Sequence, residues 1–276
     1  MQNLKTTTTS KYLIGAITII SFLSIVCKEK IITTNDDNCN ICRDTLENQI
    51  NPLYPSSVGT YWQYKIYSAG QAGGDDSGWI YNGFNSFNIE LKDGTWREDS
   101  FSVEIKDKKF ICVNDTTYES YGYISYPINS IDSNFIYWAY WNGNDGIYRL
   151  GLYNNTYNFF HKGLYIKYPL KKGDKWNDKI VITNGNDFYL FEFINNECLS
   201  EMEILSTPAG LLPCYVIFRR EKPEDIGGYY DYYEYYSPNI GLVCSVKKYT
   251  IPLLSGINGH WEIISVRFLE KYFLTN

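Results

Sequence analysis

Short runs of alternating apolar and polar residues recur from Tyr54 to the end of the chain, and they constrain the fold most strongly. In the run from Phe101 to Lys106, Phe101, Val103 and Ile105 fall on one face of an extended strand and the polar residues on the other. About a dozen such runs are separated by turns rich in Gly, Asn, Asp and Pro. We therefore predict one all-β antiparallel domain over residues 53–276, folded as a curved half-barrel or a sandwich.

Two local features refine this prediction. The charged run Lys106–Lys109 separates two alternating runs and is predicted to be the turn of a hairpin. Amphipathic stretches longer than about ten residues are absent, so we expect at most one or two short helices, one of them within residues 119–135. A Gly-x-x-Trp pattern occurs at Gly59–Trp62 and again at Gly173–Trp176, and predicts two core tryptophans at strand starts.

The N-terminus has the form of a secretory signal. Lys5 and Lys11 lie in a stretch without acids and precede an uncharged segment, Tyr12–Val26. This segment has 15 residues, fewer than the roughly 20 that a helix needs to cross a bilayer. A cleaved signal is therefore favoured over a permanent transmembrane anchor.

The end of this segment, Leu23–Cys27, resembles the lipobox of bacterial lipoproteins, although Val26 stands where that motif has a small residue. The resemblance implies a signal peptide over residues 1–26 and acylation, with chains such as palmitate, on Cys27. Residues 27–52 are polar and are interpreted as a tether. Lys28–Lys30 has no Asp at its start, which by resemblance to enteric sorting points to the outer membrane. Plain secretion and an uncleaved anchor are the alternatives.

The charge balance restricts the partners of the protein. The chain has 25 Lys and Arg against 31 Asp and Glu, a net charge of −6, and loss of residues 1–26 takes it to −8. Nucleic-acid-binding proteins carry basic patches, so that class is excluded. An acidic surface is not drawn to anionic headgroups, so membrane association is expected through the lipid on Cys27.

Six cysteines follow Cys27, an even number that in an exported chain is compatible with up to three disulfide bonds. Cys39 and Cys42 are the one close pair. Neither a second such pair nor a nearby His completes a zinc site, and no βαβ pattern surrounds the pair as in thioredoxins. We interpret the pair as structural.

Three motifs of the C-terminal half point to a family resemblance. They are Tyr168–Trp176, Thr207–Gly210 followed by Cys214–Ile217, and Glu234–Val243. Together with Gly59–Trp62, they resemble a group of uncharacterised bacterial envelope lipoproteins, whose members are thought to adopt a LolA-like curved sheet. The resemblance implies that fold and an envelope location, and it carries no catalytic residue with it. Leu211–Pro213 departs from the usual continuation after the glycine.

Catalytic and metal-binding patterns are scarce. His161 and His260 are the only histidines, and neither lies near a Gly-x-Ser-x-Gly motif. The acidic turns lack the ligand spacing of an EF-hand, and dinucleotide fingerprints are absent, so neither a metal nor a cofactor is predicted. A hydrolase with paired carboxylates stays open, because sequence spacing cannot test it. The acids on β-rich segments are Glu192, Glu197, Glu201, Glu203 and Glu234.

The run Tyr229–Tyr236 holds six tyrosines and is the most unusual local feature. In a strand it presents aromatic rings on both faces, which is typical either of a platform for sugars or amphiphiles or of a core strand in a tyrosine-rich chain. In the platform interpretation, Asp231 or Glu234 would orient a ligand hydroxyl. The candidate ligand-binding residues are Tyr230, Tyr232, Tyr233, Tyr235, Trp62 and Trp176.

The sequence thus favours a lipid-anchored envelope lipoprotein that binds or scaffolds rather than catalyses. Its partner would be a hydrophobic ligand or an envelope protein. A glycan-binding lipoprotein with exposed Tyr and Trp is the first alternative, and a carboxylate-dependent hydrolase is the second.

Overall fold

The computed structural model describes residues 53–69, 79–80, 90–91, 96–128, 136–153, 158–184, 187–223, 228–250 and 261–275. Within these ranges the chain forms fourteen strands and no helix. The prediction of an all-β antiparallel fold is confirmed. The short helix expected within residues 119–135 is not found in the described part of that range, because a strand continues there to Pro127. Residues 129–135 lie outside the described residues. The LolA-like form of the sheet stays a prediction.

The strands are β1 Tyr61–Ala69, β2 Trp79–Ile80, β3 Glu90–Leu91, β4 Trp96–Val113, β5 Thr116–Pro127, β6 Ile136–Gly143, β7 Gly146–Tyr153, β8 Asn158–Lys167, β9 Lys175–Asn184, β10 Asp187–Thr207, β11 Gly210–Pro223, β12 Tyr229–Ser237, β13 Gly241–Thr250 and β14 Trp261–Phe273.

Twelve of these strands form one antiparallel sheet, in the order β8-β7-β6-β5-β4-β1-β14-β13-β12-β11-β10-β9. The order divides into two meanders of six strands. The first half comprises β1 and β4–β8, the second half comprises β9–β14, and the two are joined where β1 pairs with β14. The outer strands β8 and β9 also contact each other, so the sheet curls into a nearly closed, barrel-like form. β2 and β3 pair separately.

The two halves begin with equivalent turns. Gly59 and Gly173 have φ of +88° and +86°, a conformation that glycine adopts without steric cost. The Gly59 amide donates to the Ile105 carbonyl at 2.9 Å, and the Gly173 amide donates to the Cys198 carbonyl at 2.7 Å. Each turn leads into a strand that carries a buried tryptophan three residues later, so the predicted pair of core tryptophans at strand starts is confirmed.

The hairpin predicted at Lys106–Lys109 is wrong. β4 continues through these residues to Val113, with a bulge between Ile105 and Asp107, and the turn is Asn114–Asp115, both with positive φ. The charged side chains are accommodated by the neighbouring strands, since the Tyr137 hydroxyl donates to Asp107 Oδ1 at 2.6 Å. Charge density alone therefore does not end a strand whose polar residues find partners across the sheet.

One end of the sheet holds the first and last described residues and several of the described turns, and we call it the tether end. It holds Leu53–Thr60, the last residues of β14, and the turns 114–115, 144–145, 208–209 and 238–240. The Thr275 hydroxyl donates to the Val58 carbonyl at 2.9 Å, which joins the C-terminus to the chain ahead of β1.

The expected disulfide bonds do not form among the described cysteines, which are Cys112, Cys198, Cys214 and Cys244. The last three are buried, and burial raises the pKa of the Cys198 thiol to about 11 and that of Cys214 to about 12. Cys39 and Cys42 lie outside the described residues, as does Cys27.

Candidate functional site

The predicted ligand-binding residues divide between the interior and the two faces of β12. Trp62 and Trp176 are buried, and their indole N–H groups donate to the Ile240 carbonyl at 2.6 Å and to the Tyr165 carbonyl at 3.1 Å. Tyr235 is fully buried. The two tryptophans face the interior, whereas Tyr235 lies on the β12 face of Asp231 and Tyr233, opposite Glu234 and Tyr236.

Tyr230, Tyr232 and Tyr233 are half-buried. The Tyr232 hydroxyl donates to Glu221 Oε2 at 2.5 Å, and the Lys247 ammonium lies 4.1 Å from the Tyr230 ring centre. Burial, reinforced by Glu221, raises the pKa of Tyr232. These tyrosines therefore belong to a network of charged neighbours across β11–β13 rather than to a bare aromatic strip.

The face of β12 that carries Tyr233, opposite Tyr230 and Tyr232, also carries an ion pair. Arg220 donates two hydrogen bonds to the Asp231 carboxylate, from Nε to Oδ1 at 2.7 Å and from Nη2 to Oδ2 at 2.8 Å. Asp231, one of the two acids considered for orienting a ligand hydroxyl, thus already accepts from a guanidinium.

Arg219 is the centre of the interior. It is 1% exposed, its Nε donates to Glu234 Oε2 at 2.7 Å, and its Nη2 donates to the Tyr165 carbonyl at 2.6 Å. Its guanidinium also lies 4.2 Å from the centre of the Tyr165 ring. The Tyr236 hydroxyl donates to the same Glu234 oxygen at 2.9 Å. Burial alone lowers the pKa of Arg219, but Glu234 and the two tyrosines outweigh it and the net pKa is raised.

A second buried ion pair lies against the other side of this cluster. Arg149 Nη1 of β7 is 3.7 Å from Asp178 Oδ2 of β9, and the Arg149 guanidinium lies 4.4 Å from the centre of the Tyr165 ring. Gly163 of β8 stands between the two strands. A Cβ at that position would lie 2.3 Å from Asp178 Oδ1, so the absence of a side chain makes room for the carboxylate.

This charged centre is under-satisfied within the protein. Among the described residues, seven buried side-chain atoms lack a hydrogen-bond partner: Arg149 Nε and Nη1, Asp178 Oδ1 and Oδ2, Arg219 Nη1, and Nδ2 and Oδ1 of Asn196, which pairs with Trp176 across β9 and β10. Buried polar atoms are normally paired, so these groups can bind water or a small polar ligand.

Tyrosine rings fill the space beside the charged centre. Tyr54 packs against Tyr123 and Tyr140 with ring centres 4.9 and 5.4 Å apart, and Tyr140 packs against Tyr165 at 5.2 Å. Burial raises the pKa of all four phenols, so they are neutral at physiological pH.

A cleft of about 50 Å³ opens beside this aromatic cluster. Its lining residues are Tyr54, Trp62, Tyr64, Val103, Tyr123, Gly241, Leu242 and Arg267. Pockets for drug-sized ligands measure about 300–1,000 Å³, so this cleft accepts a few water molecules or one small group of a ligand.

Each of the four described acids named for a hydrolase is held by a partner of its own. Glu234 is held by Arg219 in the interior, whereas Glu197 pairs with Lys175 at 3.2 Å and Glu201 accepts from the Lys172 amide at 2.7 Å. Glu203 accepts from the Ser200 hydroxyl at 2.8 Å. The side chain of Glu192 lies outside the described part.

His161 is half-buried on β8, and His260 lies outside the described residues. Within the described ranges, no three His, Cys, Asp or Glu side chains converge so as to hold a metal ion. The same ranges contain no helix long and apolar enough to cross a membrane.

The sequence pattern does not identify the buried polar residues of the interior, which are Arg149, Asp178, Asn196 and Arg219. The available signal was weak: Arg219 follows the apolar run Cys214–Phe218 without a break, at a position that alternation assigns to the same face as Ile217. A charge on the buried face of a strand predicts a buried partner, but it does not say which acid supplies it.

Fold and site together define an all-β protein in which two six-stranded meanders enclose paired charges and tyrosines. No family model matches the chain, and no curated protein matches it. Two solved structures are similar to it. One is a predicted exported protein with a YmcC-like fold from Bacteroides fragilis, at 14% identity and a TM-score of 0.46. The other is a predicted lipoprotein from Parabacteroides distasonis, at 15% identity and a TM-score of 0.47. Each alignment covers 80% of this chain and 98% of the other.

Proposed function

We propose that the protein is a non-catalytic lipoprotein of the bacterial envelope, held at the outer membrane by acyl chains on Cys27. Residues 1–26 are its signal peptide, residues 27–52 its tether, and residues 53–276 a rigid module that docks an envelope protein. The observation that carries the docking role is the filled interior, in which two buried ion pairs and a tyrosine cluster occupy the space that a carrier would leave for its ligand.

The described cleft beside Trp62 offers little room for a hydrophobic ligand. An amphiphile needs a pocket of several hundred Å³, and the cleft beside Trp62 has about 50 Å³. Rigidity is useful to a docking module, because a surface that is already ordered loses little conformational entropy when a partner binds.

The anchor is tested by replacing Cys27. Cys27→Ala should abolish acylation and release the protein from the membrane fraction, as measured by intact mass and fractionation of native envelopes. Cys42→Ala is the matched control, since it removes a cysteine of the tether and should leave the acyl mass unchanged. Membrane retention of Cys27→Ala with unchanged processing contradicts the proposal.

The docking role is tested by native mass spectrometry of the acylated protein extracted from its own envelope. We expect the mass of the β domain to include no bound ligand. Chemical cross-linking in the same envelopes should then join the protein reproducibly to one envelope protein. A retained amphiphile at one-to-one stoichiometry would instead support a carrier, and a retained sugar would support glycan binding.

A further inference from the structure

Among the described residues, several large apolar side chains are exposed at the tether end. Eight such residues are exposed among the described residues, and seven of them lie at the tether end: Val58, Phe110, Met202, Ile204, Leu211, Tyr272 and Phe273. The eighth, Ile128, follows β5 at the opposite end. Single exposed apolar residues are normal on any protein, whereas seven of them around one end of a sheet can form a contact surface.

The most exposed members lie on the β10–β11 hairpin. β9 pairs with β10 only as far as Glu197, and β12 pairs with β11 only from Tyr215, so residues 199–214 form strand pairs only with residues of their own hairpin, β10–β11. One face of this hairpin carries three exposed side chains: Met202 is 66%, Ile204 63% and Leu211 73% exposed, whereas Leu205 and Leu212 on the other face are buried.

Both halves of the fold contribute to this end. Phe110 projects from the β4–β5 hairpin of the first half and is 55% exposed, and Phe273 ends β14 with 63% exposure. Exposed lysines stand next to them in sequence, Lys109 before Phe110 and Lys271 before Tyr272. Apolar side chains flanked by lysines suit the boundary between lipid headgroups and acyl chains, where a lysine stem lies in the apolar layer and its ammonium reaches water.

We propose that the tether end rests on the bilayer, with Met202, Ile204 and Leu211 inserted among the lipids. The inference rests on the proposed Cys27 anchor. The 25 residues between Cys27 and Leu53 span at most about 90 Å, and they join the domain at this same end. A bilayer is favoured over a second protein because the apolar side chains come from separate elements around one end, and a flat lipid surface can contact them together.

The test uses the mature chain, residues 27–276 with Cys27→Ser, so that binding to vesicles does not depend on acylation. The probe is vesicles of phosphatidylcholine and phosphatidylethanolamine, with bound protein measured by co-sedimentation. The triple variant Met202→Gln, Ile204→Thr, Leu211→Gln should lower the partition coefficient about a hundredfold, since each apolar side chain contributes roughly a factor of five. Ile128→Thr is the matched control and should leave the partition unchanged.

Three outcomes overturn the inference: no vesicle binding by the parent, equal binding by the triple variant, or equal loss in Ile128→Thr. A parent dimer that the triple variant abolishes, seen by analytical ultracentrifugation, would assign the surface to a second copy instead. Thermal melts of all variants check that each is folded, which is expected because the substituted side chains are exposed. Failure of the proposed Cys27 anchor can be distinguished from failure of this inference. Without acylation the native protein would lack the acyl mass, but vesicle binding by the Cys27→Ser chain would be unchanged.

Discussion

Arg219→Met is the substitution that tests the buried charged centre most directly. Methionine keeps most of the apolar volume but removes the cation that lies 2.7 Å from Glu234 Oε2. The two side chains are 1% and 11% exposed, so the carboxylate would be left buried without its charge partner, which costs about 3–5 kcal/mol. The Tyr165 carbonyl also loses a donor at 2.6 Å. We expect a loss of about 4 kcal/mol in the free energy of unfolding, or about 8–16 °C in Tm.

The assay is urea unfolding followed by tyrosine and tryptophan fluorescence, with the slope m fitted for each variant. The double variant Arg219→Met, Glu234→Gln removes both charges and should recover about 2 kcal/mol relative to Arg219→Met. Lys65→Met is the matched control, because Lys65 and Glu98 form an exposed pair at 3.0 Å and its loss should leave stability unchanged. A loss below about 1 kcal/mol for Arg219→Met, or no recovery in the double variant, refutes the reasoning.

Three further predictions concern buried groups. Gly163→Ala should cost about 2–4 kcal/mol in urea unfolding, because its Cβ would displace the Asp178 carboxylate from its ion pair. The native thiols of Cys198 and Cys214 should react with an aromatic disulfide reagent at pH 8 more than a hundredfold more slowly than in urea, since burial raises both pKa values to about 11 and 12 and shields the sulfurs. Burial lowers the pKa of Lys248 to about 8, so between pH 8 and pH 10 this amine binds more protons in the unfolded chain, and its own contribution is a gain in stability as the pH rises. Lys248→Met should lack that gain, on the order of 1 kcal/mol, in urea titrations at pH 7 and pH 9.5.

The all-β class could be predicted because the alternation of apolar and polar residues is a local property: each strand shows it in its own sequence, with every second residue facing the core. The alternation within Tyr229–Tyr236 places Glu234 and Tyr236 on one face, where they meet Arg219. The bulge in β4 could not be predicted, because it depends on partners in β5 and β6 that lie many residues away.

The cysteines illustrate the same limit. An even count in an exported chain is compatible with disulfides, but pairing needs sulfurs at bonding distance, and the register of the sheet determines where they lie. Cys198 pairs with Ile217 and Cys244 with Tyr235 across their strands, so neither has a cysteine opposite it.

Four of the interior contacts have a common property that the sequence does not reveal: they join the two halves. Trp62 of the first half donates to Ile240 of the second, and Trp176 of the second donates to Tyr165 of the first. Arg219 of the second half donates to the Tyr165 carbonyl of the first. Arg149 of the first half forms an ion pair with Asp178 of the second, where β8 and β9 meet. Because each of these bonds has one partner in each half, neither meander can satisfy its own buried polar groups alone. The charged centre therefore makes the two meanders a single cooperative unit, and that unit presents the tether end as one rigid surface.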